Sequence, residues 1–157
     1  MCLKILVNGA GGQLGQDMMR QLHSEHDVVG FTRNEWDVTD IEATKSIIER
    51  ERPQVVIHCA AFTKVDQAEV EPTAAFRVNT DGARSVAAAC GNSNVTMVYI
   101  STDYVFDGTK ASGYDERDEP NTINVYGHSK EAGERAVRHY CGQHFILRTS
   151  WLFGPNG

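Results

Sequence analysis

The chain has 157 residues, of which 41% are hydrophobic, and a formal net charge of −6 at pH 7. This length and apolar content fit a single domain that can bury its own hydrophobic core. Because the balance of charge is acidic and lysine and arginine form no run, the sequence lacks the electrostatic footprint of a protein that binds nucleic acid or an anionic membrane surface.

The cysteines and the start of the chain indicate where the protein resides. Four cysteines are scattered without C-x-x-C spacing, so neither a zinc site nor a redox pair is indicated. Such cysteines suit a reducing compartment, and we expect a cytoplasmic protein. The apolar stretch at residues 3–7 is too short for a signal peptide or a membrane span.

A glycine-rich turn follows the first predicted strand, residues 3–7. Its glycines are spaced G-x-x-G-x-x-G, at Gly9, Gly12 and Gly15. The next apolar residues lie at the four-residue spacing of a helix face: Leu14, Met18 and Leu22. Strand, glycine turn and helix in this order favour a dinucleotide-binding loop, in which the backbone approaches a pyrophosphate at the helix N-terminus. The alternative is an ordinary glycine-rich turn between a strand and a helix.

The residues after the second predicted strand, 27–31, bear on the choice between NAD and NADP. An NAD site usually places an acid here, which binds the ribose 2′-hydroxyl. Thr32 stands at this point and Arg33 follows, which suits the 2′-phosphate of NADP better. We therefore predict NADPH as the cofactor, with NADH as the less favoured choice. In the alternative, Arg33 faces solvent and Glu35 or Asp37 binds the ribose.

The remaining elements alternate between helices and strands. A capping pattern, Thr39-x-x-Glu42, predicts a helix to about residue 50, and a second long helix is predicted from Pro72 to Gly91. Three further strands are predicted at residues 54–58, 95–100 and 145–147, with a polar loop at 109–122 and a helix ending near residue 140. This alternation predicts a doubly wound parallel α/β sheet, the NAD(P)-binding Rossmann fold, with strand order 3-2-1-4-5.

Tyr126 and Lys130 carry the strongest indication of chemistry. Four residues apart on a helix, they lie one turn apart on the same face. A phenol has an ordinary pKa of about 10, and a neighbouring cation lowers that pKa toward the range of general acid/base catalysis. Taken alone, the pair is more typical of a solvated helix surface, and the rest of the sequence reverses that balance.

The pattern of a glycine turn followed by Thr102, Tyr126 and Lys130 resembles that of the extended branch of the short-chain dehydrogenase/reductase superfamily. Four segments are similar to the dTDP-4-dehydrorhamnose reductase family: AAFTKVD at 60–66, STDYVFDG at 101–108, NVYG at 124–127 and RTSW at 148–151. The nucleotide-sugar dehydratases of the superfamily carry a catalytic Glu after Thr-Asp, where this chain has Tyr104. The resemblance therefore implies simple carbonyl reduction.

In that family, NADPH reduces the 4-keto group of dTDP-4-dehydrorhamnose to give dTDP-rhamnose for polysaccharide biosynthesis. The resemblance implies that Tyr126 donates a proton to the substrate oxygen. It implies that Lys130 binds the nicotinamide ribose and lowers the pKa of Tyr126. Thr102 would orient the carbonyl group, and Asn79 matches a helix Asn that backs the lysine in many members.

The resemblance also implies the residues that bind cofactor and substrate. Apart from Tyr126 and Lys130, the implied cofactor-binding residues are Gly9, Gly12, Gln13, Leu14, Gly15, Thr32, Arg33, Asp37, Val38, Ala60, Ala61, Phe62 and Thr63. The implied substrate-binding residues are Val65, Thr102, Asp103, Tyr104 and Trp151. An aromatic such as Trp151 could equally be an anchor of the hydrophobic core.

Members of this family continue for a stretch of comparable length that closes over the nucleotide sugar. Residues 1–157 are therefore interpreted as a dinucleotide-binding domain that ends after the fifth strand, and we expect this chain by itself to be inactive. Some members form homodimers through a magnesium site whose carboxylates lie largely in that further stretch. Asp17 alone establishes no such site, so we assign no metal ligand and leave magnesium and a homodimer open.

Two alternative functions remain. The regulatory subunit of methionine adenosyltransferase is a non-catalytic, NADP-binding protein with the same fold and several of these motifs. The intact set of Thr102, Tyr126 and Lys130 favours an enzyme without excluding this regulator. A nucleotide-sugar epimerase or dehydratase is the second alternative, and Tyr104 disfavours it.

Overall fold

The computed structural model describes residues 2–156, which form one sheet of five parallel strands flanked by helices. The strands are β1 (Lys4–Asn8), β2 (Asp27–Phe31), β3 (Val55–His58), β4 (Thr96–Thr102) and β5 (His144–Thr149). The helices are α1 (Gln13–Leu22), α2 (Ile41–Glu51), α3 (Val65–Val70), α4 (Pro72–Phe76), α5 (Ala83–Asn92) and α6 (Val125–Tyr140). The predicted parallel α/β sheet is confirmed, and the short helix α3 is an addition to it.

The order of the strands differs from the prediction. It is β2-β1-β3-β4-β5, so the predicted order 3-2-1-4-5 is wrong. Leu6 of β1 lies between Val29 of β2 and Val56 of β3. Since all the strands are similarly apolar, their composition does not determine which of them pair. The chain moves from β1 outward to β2 and then crosses back over β1 to β3, which opens a crevice at the carboxyl ends of β1 and β3.

Helices cover the two faces of the sheet with two separate cores. On one face, the side chains of α1 pack on β1 and β2, in a cluster that includes Ile5, Val7, Val28, Met18 and Leu22. On the other face lie α2, α5 and α6, in a larger cluster that includes Leu6, Val56, Ile48, Val86 and Val137. Alternate residues of β1 thus point into opposite cores, as a strand buried on both faces requires. No helix within residues 2–156 is long and apolar enough to cross a membrane.

Two of the predicted helices differ from the prediction in detail. The second long helix begins at Pro72 as predicted, but a π-helical segment, Arg77–Gly82, separates α4 from α5. Gly82 ends this segment at a close approach, because a Cβ atom there would lie 2.7 Å from Cγ2 of Val38. The cap of α2 is Asp40 and not Thr39, since its side chain accepts from the N–H of Ala43 at 3.0 Å.

Candidate active site

A cleft of about 770 Å³ opens at the carboxyl ends of the strands. Most of the residues selected from the sequence line it: Gly9, Gly12, Gln13, Leu14, Gly15, Arg33, Asp37, Val38, Ala60, Ala61, Phe62, Thr63, Val65, Thr102, Asp103, Tyr104, Tyr126, Lys130 and Trp151. Thr32 and Asn79 are absent from its lining. The strand order explains this convergence, because β1, β3 and β4 are neighbours whose ends reach the same edge of the sheet.

The glycine turn brings the backbone against β3 at one side of the cleft. Gly9 has a φ of +69°, and a Cβ atom there would lie 2.7 Å from the backbone nitrogen of Ala60. A Cβ atom on Gly15 would overlap the carbonyl oxygen of Gly9, so α1 also begins in close contact with the turn. Within residues 2–156 no side chain caps the start of α1, and its first turn contains no acid. These free N–H groups and the positive helix end fit a pyrophosphate.

Buried polar side chains join the glycine turn to the end of β3. Asn8 accepts a hydrogen bond from the N–H of Ala60 at 3.1 Å, and its amide nitrogen lies 2.9 Å from Nδ1 of His58. The imidazole of His58 is 1% exposed and stacks on the ring of Tyr99. Burial, together with the charge of Lys130, lowers the pKa of His58 to about 3, so this ring is neutral at neutral pH.

The side chains after β2 differ in their relation to the cleft. The hydroxyl and N–H groups of Thr32 donate to Glu35 at 2.7 and 2.8 Å, outside the cleft lining, and Thr32 as a cofactor contact stays a prediction. Asp37 accepts from the N–H and hydroxyl groups of Thr39, which lower the pKa of its carboxyl group. Both acids are thus engaged with neighbouring residues. Arg33 and Asp37 both line the cleft, and Arg33 is exposed there.

Lys130 extends from α6 into the interior beneath the cleft and is 2% exposed. Its ammonium group donates to the carbonyl oxygen of Ile100 at 2.7 Å and lies 4.2 Å from the centre of the Tyr99 ring. Burial lowers the pKa of Lys130 to about 7, against the opposing effect of the Glu134 carboxylate. The side chain is therefore close to its titration midpoint at neutral pH.

Tyr126 is the second residue of α6 and is buried beside Thr102. Burial raises the pKa of its phenol, a hydrogen bond with Thr102 partly offsets this, and the charge of Asp103 adds to the increase. The expectation that Lys130 lowers this pKa is wrong for the structure described here, because desolvation dominates and the ammonium group is directed toward Ile100. Tyr126 is consequently a protonated phenol at neutral pH, with the ring of Tyr104 edge-on at 5.6 Å.

Asn79 lies in the π-helical segment and organises the site from outside the cleft. Its side chain accepts from the N–H of Phe62 at 2.8 Å and donates to the carbonyl oxygen of the same residue at 3.1 Å. It also donates to the hydroxyl oxygen of Ser129 at 2.9 Å. Asn79 thus joins the Phe62 segment to the residue before Lys130 and does not contact the ammonium group itself.

The segment that follows β5 brings an exposed aromatic residue to the cleft. Trp151 is 90% exposed with a φ of +49°, so its interpretation as a core anchor is wrong. Asp103 accepts from the hydroxyl groups of Thr102 at 3.1 Å and Ser150 at 2.7 Å, which joins β4 to the segment after β5. The following residues return across the start of α1, where the carbonyl oxygen of Leu152 accepts from Gln13 at 3.2 Å.

The cleft also contains residues that the sequence analysis did not select. They are Gly11, Trp36, Thr39, Cys59, Val78, Ile100, Ser101, Thr149 and Leu152. Ile100 and Ser101 could have been selected as the strand residues that precede Thr102. Thr149 could not, because its place depends on the β4–β5 register, in which it pairs with Thr102. Among residues 2–156 no group of three His, Cys, Asp or Glu side chains could hold a metal ion.

The parallel sheet, the glycine turn and the cleft at the strand ends define the NAD(P)-binding Rossmann class of domains. Residues 3–157 match the family described as the RmlD substrate binding domain, and the chain belongs to this family. The resemblance to dTDP-4-dehydrorhamnose reductases stated from the sequence motifs is thereby confirmed.

Three similar proteins specify the relationship. A dTDP-4-keto-6-deoxy-D-glucose reductase from Streptomyces niveus is 42% identical over 154 residues, which are 97% of this chain and 54% of that protein. A dTDP-4-dehydrorhamnose reductase from Aggregatibacter actinomycetemcomitans is 41% identical over 156 residues, 98% of this chain and 53% of that protein. The crystal structure of dTDP-4-dehydrorhamnose reductase from Bacillus anthracis in complex with NADP has a TM-score of 0.97 at 45% identity, covering 100% of this chain and 56% of that one. The chain spans about half the length of the curated relatives that it matches.

Proposed function

We propose that this chain supplies the cofactor-binding and proton-donating part of an NADPH-dependent reductase that acts on the 4-keto group of dTDP-4-dehydrorhamnose. The observation that carries the proposal is the convergence of Thr102, Tyr126 and Lys130 on the cleft that also contains the glycine turn. The names of the similar proteins support it, since two of the three are dTDP-4-dehydrorhamnose reductases. A nucleotide sugar is accordingly the proposed small-molecule partner.

We propose NADP(H) as the cofactor, for reasons that lie in this chain. The start of α1 and the glycine turn would hold the pyrophosphate, and Arg33 would pair with the 2′-phosphate, which NAD lacks. The two acids that could bind a 2′-hydroxyl, Glu35 and Asp37, are hydrogen-bonded to Thr32 and Thr39. The NADP complex of the Bacillus anthracis reductase agrees with this choice.

The chemistry that bound NADPH supplies is hydride transfer to the carbonyl carbon. Tyr126 contributes the proton that the carbonyl oxygen takes up, so that ketone, hydride and proton together give a secondary alcohol. Because its pKa is raised, the phenol carries this proton at neutral pH. The hydroxyl group of Thr102, next to that phenol, would orient the oxygen, and Tyr104 provides no carboxylate base of the kind that a dehydratase needs.

A chimeric enzyme tests this function without depending on the length of the present chain. Residues 1–157 would replace the matching portion of the Bacillus anthracis reductase, whose backbone they follow closely. We expect NADPH oxidation that depends on dTDP-4-dehydrorhamnose, and a turnover lower by about 10²-fold or more after Tyr126→Phe, with NADPH affinity retained. A folded chimera without activity, or a Tyr126→Phe variant with normal turnover, would refute the proposal.

We further propose that residues 1–157 constitute the dinucleotide-binding domain and that positioning of the sugar requires additional residues. Holding a carbonyl group within reach of both a hydride donor and a phenol contributes several kcal/mol to lowering the barrier, and it requires the nucleotide to be held in place. Trp151, the aromatic residue at the substrate side, is almost fully exposed and provides no such enclosure by itself.

A further inference from the structure

A buried carboxylate, Glu134, lies beneath the cleft, one helical turn after Lys130 on α6. Its side chain is 0% exposed and accepts four hydrogen bonds. The donors are Oγ of Ser101 at 2.6 Å, Nε and Nη2 of Arg148 at 2.9 and 2.7 Å, and Nη2 of Arg138 at 3.0 Å. A buried charge is tolerated only when it is paired and hydrogen-bonded, and these four donors meet that condition.

The positions of these partners show what the carboxylate joins. Ser101 and Arg148 face each other in the β4–β5 register, so one carboxylate holds the carboxyl ends of both strands. On the same helix, Lys130 donates to the carbonyl oxygen of Ile100, the strand residue next to Ser101. Two helix residues one turn apart therefore bond consecutive residues of β4. The relative position of α6 and the strand end depends on both bonds.

The charge of Glu134 also stands out among the groups around Lys130. The other titratable side chains facing that ammonium group are His58, Cys59 and Tyr99. Burial lowers the pKa of His58 to about 3, raises that of Cys59 to about 11 and raises that of Tyr99 well above 10, so all three are uncharged at neutral pH. Burial also acts to raise the pKa of Glu134, but its hydrogen bonds outweigh this and lower the pKa, so Glu134 is the negative charge of the group.

We propose that Glu134 is a positioning residue of this site, whose carboxylate fixes α6 against the ends of β4 and β5 and favours the cationic form of the buried Lys130 side chain. An effect of this positioning on ketone reduction would rest on the function proposed above. The consequence for the charge of Lys130 does not, because it depends only on groups in this chain. The two can therefore be tested separately.

The test follows the titration of Lys130 in the 157-residue chain by NMR. Lysine labelled with ¹³C at Cε reports the charge of each of the five lysines, and a Lys130→Met variant assigns the signal. In Glu134→Gln we expect the midpoint of Lys130 to fall by about one pH unit or more, since a nearby opposite charge is worth that much. Glu131→Gln is the matched control, because it removes a carboxylate from the same helix that pairs outward with the exposed Arg135. It should leave the midpoint unchanged.

An unchanged Lys130 midpoint in folded Glu134→Gln, or an equal decrease in Glu131→Gln, would overturn the proposal. If Glu134→Gln does not fold, Glu134→Asp replaces it. Its carboxylate retains the charge but lies farther from Lys130, so we expect a smaller decrease of the Lys130 midpoint. An unchanged midpoint in Glu134→Asp would overturn the proposal as well. NADPH affinity separates the two proposals. Failure of the wild-type chain to bind NADPH would count against the proposed function, whereas the Lys130 titration would still decide the role of Glu134.

Discussion

Lowering the pH should destabilise this protein through His58 before its carboxylates are protonated. The folded pKa of His58 is about 3, whereas the unfolded chain has the ordinary 6.5. Because the folded pKa is the lower one, the unfolded state binds the proton first, so the stabilisation present above pH 6.5 is lost as the pH falls toward 3. Between pH 7 and pH 5 this linkage amounts to about 2 kcal/mol, at 1.36 kcal/mol per pH unit once the unfolded histidine is protonated.

Urea denaturation at pH 7 and pH 5, followed by circular dichroism, measures this loss. His58→Gln is the decisive variant, because glutamine can still accept from Asn8 but does not titrate. Its lower stability at every pH, due to the lost stacking on Tyr99, does not affect the comparison of slopes. Lys130, with a pKa of about 7, contributes less than roughly 0.5 kcal/mol in the same direction and is present in both proteins. A wild-type protein with equal stability at the two pH values, or an unaltered loss in His58→Gln, would refute the reasoning.

Three further predictions concern helix α6, the cofactor and the substrate. Gly127→Ala should lower the free energy of unfolding by about 1–3 kcal/mol, measured with urea, because its Cβ atom would overlap the carbonyl oxygen of Tyr104; Gly142→Ala, with open space around it, is the control. Arg33→Ala should weaken NADPH binding more than NADH binding, as measured by calorimetry, whereas the control Arg135→Ala should change neither. Equal losses of affinity for the two cofactors would show that Arg33 does not bind the 2′-phosphate. The 157-residue chain should bind NADPH without oxidising it in the presence of dTDP-4-dehydrorhamnose, and turnover comparable to that of an intact reductase would contradict this.

The elements of the fold were predictable because local rules determine them. The apolar runs at β1 and β3 and the Pro72 start all have strong local signals, and the predicted elements occur there. The strand order was not predictable in the same way, because pairing depends on which crossover returns over β1, and apolar composition is alike in all the strands. The π-helical segment has no local signal either. It brings Asn79 into contact with Phe62 and Ser129, contacts between distant parts of the chain.

In the candidate site, the positions of the residues were predictable from the sequence, whereas their environments were not. Motif spacing correctly indicated that Tyr126, Lys130 and Thr102 lie in one cleft. Tyr126 and Lys130 are one turn apart on a helix and Thr102 ends a strand, so few other arrangements of the three are possible. The direction of the pKa shift of Tyr126 was wrong, since the spacing reveals a neighbouring cation but not its desolvation. Similarly, the hydrogen bonds that hold Thr32 on Glu35 depend on the shape of a turn and not on residue type.

Burial moves Tyr126 and Lys130 toward their neutral forms, and this bears on the direction of the proposed reaction. The pKa of Tyr126 is raised, so at neutral pH the phenol retains the proton that ketone reduction consumes. Oxidation of the alcohol would require the phenolate, which burial disfavours. Lys130 loses charge above its pKa of about 7, so raising the pH also removes the cation beneath the cleft. Under the proposed function, the chain is therefore arranged for reduction at neutral pH, and the reverse reaction should need a pH high enough to ionise Tyr126, at which Lys130 is already neutral.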